Sequence, residues 1–456
     1  MPAELILHPA AWGQLEAVLQ RLAGEAPSAG VIELCGLAGS GKTTLLRQVE
    51  HRARALGLPV VWRSLPLPAT AAAGEDPGAG AAILAALRPE VEACLRQQGR
   101  AVLLLDDVDP ADAFQLEQLM ALLPPQGRPA PLLVVLTAGR PLSWSWEWVL
   151  LSQSRQVLTL PPLEAAGSAA LLEAVAPRLA PEARALALAW ADGYPLALVV
   201  LAEALRDGTL DPRQPADRVR LLEQLTERVL RQGVLGALPP AERPAAETLL
   251  RLLAVPHRFT ALLLHELVEQ FAPELAPAQP LHSLWWLQRL KAATQAFRWV
   301  QEGVRVGYRM EPPLRHLLQA LWQDEAPDRW QEIQRWLVEF WSRRARQGQP
   351  QERVGALLEW SLARLQLAAP AARVQESQAL LAELAAWPWR DSAARQQAVA
   401  ALGQDQELLT TLGAAAATWQ AGLASLEAAP RTPPPPPGEA SPPPEPAPRE
   451  EETDTP

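Results

Sequence analysis

The sequence predicts an α/β domain built on a parallel five-stranded sheet, followed by a helical remainder. Three observations predict it. Up to about residue 161, short apolar runs at 31–35, 60–62, 101–105, 132–137 and 155–160 alternate with stretches of helical periodicity, the pattern of strands buried on both faces of a parallel sheet. After Leu163 these runs stop, and Leu/Ala stripes at helical spacing take over. Ala, Leu, Arg and Pro dominate the composition, and the first three favour helix. The 456 residues are enough for about three domains of roughly 150 residues, with 49% hydrophobic content to fill their cores.

Taken in order, residues 11–22 carry Trp12, Leu15, Val18, Leu19 and Leu22 on one helical face. The run Val31-Ile32-Glu33-Leu34-Cys35 is the first strand. Leu45, Leu46, Val49 and Ala53 mark a helix that Gly57 caps and Pro59 stops. Val60-Val61-Trp62 is the second strand, 66–81 a Pro/Ala/Gly loop, and Ile83, Leu84, Leu87, Val91 and Leu95 another helix stripe. Ala101 to Leu105 is a buried strand ending in Asp106-Asp107, where α/β sheets bind ligands. Leu132 to Thr137 and Arg155 to Leu160 complete the sheet.

Between the first strand and its helix, Gly36-Leu37-Ala38-Gly39-Ser40-Gly41-Lys42-Thr43-Thr44 satisfies G-x-x-x-x-G-K-[ST], the phosphate-binding P-loop. Glycines let the backbone wrap a phosphate chain, and the following helix adds about half a positive charge at its N-terminus. Lys42 is one of two lysines in an arginine-biased chain, the other being Lys291. A compact ammonium suits this loop better than a planar guanidinium. Thr43 offers a hydroxyl to Mg²⁺, and Asp106, at the acidic end of the strand from Ala101, reads as its Walker B partner. Asp107 is placed to orient or deprotonate the attacking water. Asp109, before Pro110, reads as an ordinary helix cap. Thr137 and Arg140, at the end of the fourth strand, are candidate γ-phosphate sensors; for Arg140 the alternative is a surface arginine beside a strand cap.

The helical remainder divides further. Residues 162–232 hold three stripes, with Gly193-Tyr194-Pro195-Leu196 between the last two. Residues 233–311 read as three helices, the second capped by Thr260 and the third from Leu281 to Thr294, then a hairpin of Phe297-Arg298-Trp299-Val300 and Val304 to Tyr308: a winged helix. Its third helix carries Arg289 and Lys291 but also Trp285 and Trp286, so packing is the expected role of this face. Residues 312–428 are helical without a fixed repeat, and 429–456 form a Pro-rich acidic tail expected to be disordered. Two cysteines, Cys35 and Cys94, make no disulfide framework or metal spacing, and no signal peptide or membrane-spanning run is evident, so a cytoplasmic location is expected. The net charge of −10 disfavours a general nucleic-acid coat.

P-loop, Asp106-Asp107, Thr137…Arg140, Gly193-Tyr194-Pro195 and winged helix, in that order, resemble the STAND class of signal-transduction ATPases, relatives of AAA+ and NB-ARC proteins. The resemblance covers residues 1 to about 320. It implies ATP and ADP as ligands, Mg²⁺ as cofactor, and Pro195 near the adenine. It also implies an ADP-bound resting state, an ATP-driven opening into a homo-oligomer, and slow hydrolysis. The helical C-terminal region and the Pro-rich tail are the candidate surfaces for a protein partner. Three departures stand out: Leu5-Ile6-Leu7-His8-Pro9 lacks the arginine usual before the first helix, Arg140 lies one residue later than the usual sensor, and Glu311 stands where many members have histidine. His316, one turn on, reads as an ordinary surface or core histidine. The alternatives are an AAA+-like ATPase acting on DNA through the winged helix and a nucleotide-binding scaffold without useful hydrolysis.

Overall fold

In the computed structural model, the residues described are 6–24, 30–65, 79–108, 116–117, 131–145, 155–276, 281–302, 305–348, 350–389 and 392–428. Asp109, most of the loop read at 66–81, and the tail from 429 lie outside them. The chain divides into two compact units, Met1–Leu367 and Ala368–Pro456.

The first unit opens with α1 (Pro9–Ala23), β1 (Gly30–Cys35), α2 (Lys42–Ala55), β2 (Val60–Ser64), α3 (Ala79–Gln98), β3 (Ala101–Val108), β4 (Leu132–Ala138) and β5 (Arg155–Thr159). The five strands are parallel in the order β2-β3-β4-β1-β5. β3 and β4 are buried along almost their whole length because helices cover both faces. Alternate strand residues serve the two faces. Ile32, Leu34, Val102, Leu104 and Val135 pack with Leu15 and Leu19 of α1 and Leu46 and Val49 of α2. Val31, Leu103, Leu105, Val134 and Leu136 pack with Leu84, Leu87 and Val91 of α3. Each fully buried leucine contributes about 1.5–3 kcal/mol, so these two clusters fix the sheet between its helices. β5 is an edge strand, and its side chains are largely exposed.

Helices then follow: α4 (Ala165–Val175), α5 (Pro181–Ala191), α6 (Pro195–Leu205) and α7 (Pro215–Leu225), which continues as a π-helical stretch, Thr226–Val234. Pro181, Pro195 and Pro215 each sit at the first helical position, where a missing N–H costs nothing. α8 (Arg243–Leu253), α9 (Ala261–Phe271) and α10 (Leu281–Thr294) precede a hairpin of β6 (Phe297–Glu302) and β7 (Arg305–Met310). Thr260 caps α9 by accepting from the Leu263 N–H at 3.3 Å. A further bridge ties Phe259 to Tyr308, and a Cβ on Gly307 would stand 2.9 Å from the Phe259 carbonyl oxygen, so this crossing needs glycine. Trp286 of α10 packs against the core, whereas Trp285 is 46% exposed. The unit closes with α11 (Pro312–Glu325) and the helical pair α12 (Pro327–Gln347) and α13 (Pro350–Leu367).

The second unit is helical: α14 (Arg373–Ala385), α15 (Ser392–Gln404), α16 (Gln406–Leu412) and α17 (Ala416–Ala428). Its core includes Trp419, whose indole N–H donates to the Leu402 carbonyl at 3.3 Å. Both cysteines are free, and among the described residues no helix is long and apolar enough to cross a membrane.

Candidate functional site

β1 runs between the central strand β4 and the edge strand β5, so the loop that leaves it emerges at the C-terminal sheet edge beside the end of β4. That loop turns through Gly39 (φ +76) and Gly41 (φ +95), and α2 begins at Lys42. A residue with a Cβ in these conformations would be strained by roughly 1–2 kcal/mol. Gly39 also has no room: a Cβ there would meet Leu196 Cβ at 2.6 Å. The Lys42 ammonium folds back over the loop and donates to the carbonyls of Gly36 (2.8 Å) and Leu37 (2.9 Å). Burial holds its pKa below the usual 10.5, with Asp107 and Asp106 pulling the other way.

The register between β3 and β4 slips between Leu105 and Val108, so Asp106 and Asp107 fall in an irregular turn of strand. Asp107 has φ +57, an uncommon conformation for a side-chain-bearing residue. Its backbone N–H donates to Thr137 Oγ1 at 2.8 Å. Thr137 in turn donates to Asp106 Oδ1 at 2.6 Å, and Thr43 Oγ1 donates to the same oxygen at 3.2 Å. Thr137 is therefore a buried brace that holds both acids. Burial, and then the neighbouring Asp106 carboxylate, push the Asp107 pKa above its ordinary value, with Lys42 opposing.

Other segments cover the loop. His8 is buried, and its Nε2 lies 2.9 Å from the Ser40 carbonyl oxygen; burial lowers its pKa, so it is a neutral donor here. The Tyr194 hydroxyl donates to the Ala38 carbonyl at 2.5 Å, and the Leu196 N–H to that of Gly39 at 3.2 Å. Gly193 makes this approach possible: its φ is +77, and a Cβ would stand 2.4 Å from the Leu163 carbonyl oxygen.

A cavity of about 860 Å³ results. Ala38, Gly39, Gly41, Lys42, Thr43, Thr44 and Asp107 line one side of it. Leu7, Leu171, Pro195, Val199 and the π-helical residues 232–234 line another, and Arg243, Arg289 and Ala292 to Gln295 a third. A second cavity, about 310 Å³, is lined by Gly36, Leu37, Ser40, Arg140, Lys291, Arg298 and Glu311, among others. The expected site residues thus separate. Lys42, Thr43, Thr44 and Asp107 face the larger cavity; Gly36, Leu37, Ser40 and Arg140 face the smaller one; Pro195 lines both; Asp106 and Thr137 are buried behind. Glu311 also faces the smaller cavity, 3.7 Å from Arg298, and burial raises its pKa. His316 does not reach either cavity; its Nδ1 contacts the Asp192 carboxylate. Arg289, read as a helix-face cation, is held by Glu242 at 3.0 Å.

Four residues not expected as site residues also shape the site, Tyr194 from within the Gly193-Tyr194-Pro195 motif and the others outside any motif. His8, Tyr194 and Gln295 reach it from distant segments. Glu33 is fully buried in β1 and accepts from the Trp144 indole (2.6 Å), the Leu142 N–H (2.8 Å) and Arg155 Nε (2.5 Å). It thereby clamps the segment that follows Arg140. An acid in the middle of an apolar strand was its only signal in the sequence.

Residues 11–135 match the family described as AAA domain. This part of the chain is an AAA-type P-loop domain, and the five-stranded parallel sheet agrees with it. The sequence matches no curated protein. Among solved structures, the chain is similar to the Aeropyrum pernix ORC1 protein, solved in complex with DNA, at 20% identity and a TM-score of 0.36, over 72% of this chain and 95% of that one. It is similar to the ADP form of the Aeropyrum pernix ORC2 protein at 16% identity and a TM-score of 0.41, over 71% and 96%. The E. coli MS115-1 HORMA:CdnC:Trip13 complex aligns at 15% identity and a TM-score of 0.30, over 40% and 73%.

Proposed function

We propose that the chain is a nucleotide-controlled switch of the STAND kind that binds ATP or ADP with Mg²⁺ and hydrolyses ATP slowly. The observation that carries the reading is the composition of the larger cavity. Its walls come from the P-loop, from the helical region 162–234 and from the helix–hairpin region 243–310, so one ligand would touch all three. A ligand that contacts several segments at once biases their arrangement by its differential affinity for the two states.

The residues fit the ligand. The loop and the start of α2 offer backbone N–H groups and a helix N-terminus to phosphates, and Lys42 would exchange its two carbonyl partners for phosphate oxygens. Thr43 and Asp106, already 3.2 Å apart, supply hard oxygen donors of the type Mg²⁺ takes. The remaining oxygens would come from phosphates and water, since no group of three or more His, Cys, Asp or Glu side chains among the described residues could hold a metal. Leu7, Leu171, Pro195 and Val199 form an apolar wall for the base. Asp107 supports hydrolysis: its raised pKa makes it a better proton acceptor than an ordinary carboxylate.

The test is to identify the nucleotide in freshly purified protein and then compare molecular size with ADP and with a non-hydrolysable ATP analogue. Copurified ADP, low turnover and a larger assembly with the analogue are expected. Calorimetry showing no heat with adenine or guanine nucleotides would overturn the reading.

One observation favours the second reading, an ATPase acting on DNA through the helix–hairpin region taken as a winged helix. Trp299 is 53% exposed on the hairpin and Trp285 is 46% exposed on α10, close in sequence to the cations Arg298 and Lys291. That reading expects hydrolysis stimulated by DNA and binding that weakens steeply with salt.

A further inference from the structure

The two cavities are separate, and the residues lining both are Gly139, Pro195 and Gln295. Gln295 stands at the junction of α10 and β6, and Gly139 directly follows β4. The two meet closely. A Cβ built on Gly139 would lie 1.4 Å from Gln295 Oε1 and 1.5 Å from its Nε2, so the amide occupies the space that glycine leaves open. Gln295 itself has φ +52, a left-handed conformation that a glutamine adopts only where its surroundings impose it. Those surroundings are visible: Thr294 Oγ1 donates to the Leu290 carbonyl at 2.7 Å and accepts from the Ala296 N–H at 3.2 Å, closing the helix end on either side of Gln295.

This position bears on phosphate number. β4 lies beside β1, with Ala138 level with Cys35, so Gly139 is adjacent to the start of the P-loop. A nucleoside diphosphate ends at the loop. A third phosphate extends past the P-loop lysine towards the acidic strand ends, where Asp107, Ala138 and Gly139 line the cavity. Gln295 lines it there too, as a neutral amide between the larger cavity and the cations of the smaller one, Arg140, Lys291 and Arg298.

Resting on the nucleotide reading above, we propose that Gln295 is the residue that discriminates diphosphate from triphosphate. In the arrangement described, its amide fills the approach that a third phosphate needs and separates that phosphate from Arg140. A diphosphate leaves Gln295 in place. A triphosphate seats only when the amide leaves Gly139. Because Gln295 is fixed at the α10–β6 junction, its departure loosens the helix–hairpin region from the sheet edge.

The experiment measures the affinities of the full chain for Mg-ADP and for a Mg-bound non-hydrolysable ATP analogue by calorimetry, in wild type, Gln295→Ala, Gln295→Glu and Gly139→Ala. In Gln295→Ala the ratio of triphosphate to diphosphate affinity is expected to rise about tenfold, the scale of one polar contact. Gly139→Ala is expected to act the same way, because its methyl group would meet the far end of the Gln295 side chain and displace the amide. Gln295→Glu is expected to lower the ratio, since a carboxylate repels the added phosphate charge. General damage would weaken both nucleotides together and move the two Gln295 variants in the same direction. A ratio within about twofold of wild type in both Gln295 variants, or a shift of the same sign in both, overturns the proposal while leaving nucleotide binding intact. Wild-type protein that binds neither nucleotide overturns the nucleotide reading and this proposal with it.

Discussion

The floor of the larger cavity and its cover are made in different ways. The floor comes from one short loop and helix start, Ala38, Gly39 and Gly41 to Thr44, plus one strand end carrying Asp107, with Asp106 buried behind it. Its shape depends on backbone: left-handed glycines, a helix start and a slipped strand register. The cover is built from side chains and backbone groups far apart in sequence, His8, Tyr194, Leu196 and Gln295, each reaching the loop or its neighbours. The floor is set by local geometry. The cover is set by contacts between distant segments, which ligand contacts can replace, as a responsive element requires.

Substitutions at the floor should therefore remove chemistry or binding, and substitutions at the cover should tune it. The largest effect is expected for Asp107→Asn, which should lower the hydrolysis rate by about 10²–10⁴-fold while nucleotide affinity measured by calorimetry changes little. A scaffold without useful hydrolysis would show no such loss. The wild-type rate should also fall on acidification at a pH above the ordinary Asp value of 3.8, because burial raises the Asp107 pKa. The same shift affects stability. The folded state holds this proton more tightly than the unfolded chain, so the Asp107 contribution to stability declines as pH rises from 3.8 through the raised value. Urea titrations across that range should show the decline in wild type and lose it in Asp107→Asn.

Glu33→Ala comes next. It strands the Trp144 and Leu142 donors and the Arg155 guanidinium, and should cost roughly 3 kcal/mol in urea denaturation, the low end for a broken buried pair because Arg155 stays partly in contact with water. Lys42→Ala should weaken nucleotide binding roughly 100-fold, the upper end for hydrogen bonds to a charged group, with little change in melting temperature of the ligand-free protein. The smallest effect belongs to the cover: Tyr194→Phe removes one hydrogen bond to Ala38 and should weaken nucleotide binding about fivefold, near 1 kcal/mol. A Tyr194→Phe loss as large as that of Lys42→Ala would erase the distinction between floor and cover.

Much of the fold was legible because its determinants are local. The stripe Leu45, Leu46, Val49 and Ala53 is buried as its spacing requires, Gly57 turns the chain at φ +71, and Pro195 opens α6. The site was legible only in part. The motif names Gly36 through Thr44 as one loop, yet Gly36, Leu37 and Ser40 face a different cavity from Lys42 and Thr43, because the loop is itself a wall between two spaces. Thr137, a candidate γ-phosphate sensor, donates its hydroxyl to Asp106, a pairing set by the β3–β4 register that the sequence does not show. Arg140, the other candidate sensor, lines the smaller cavity, as does Gln295. The face of α10 expected to pack does so at Trp286, while Trp285 stays largely in water.

By itself the sequence determined the phosphate-loop motif, the strand and helix periodicities and the acids at the strand end, because φ preferences, side-chain alternation and motif spacing act within about ten residues. Only the tertiary structure decided that His8, Tyr194 and Gln295 converge on that loop, and that Glu33 clamps the segment beyond Arg140. Those contacts span from 32 residues (His8–Ser40) to 156 (Tyr194–Ala38), and their pairing follows from strand order and helix packing, which no local pattern encodes.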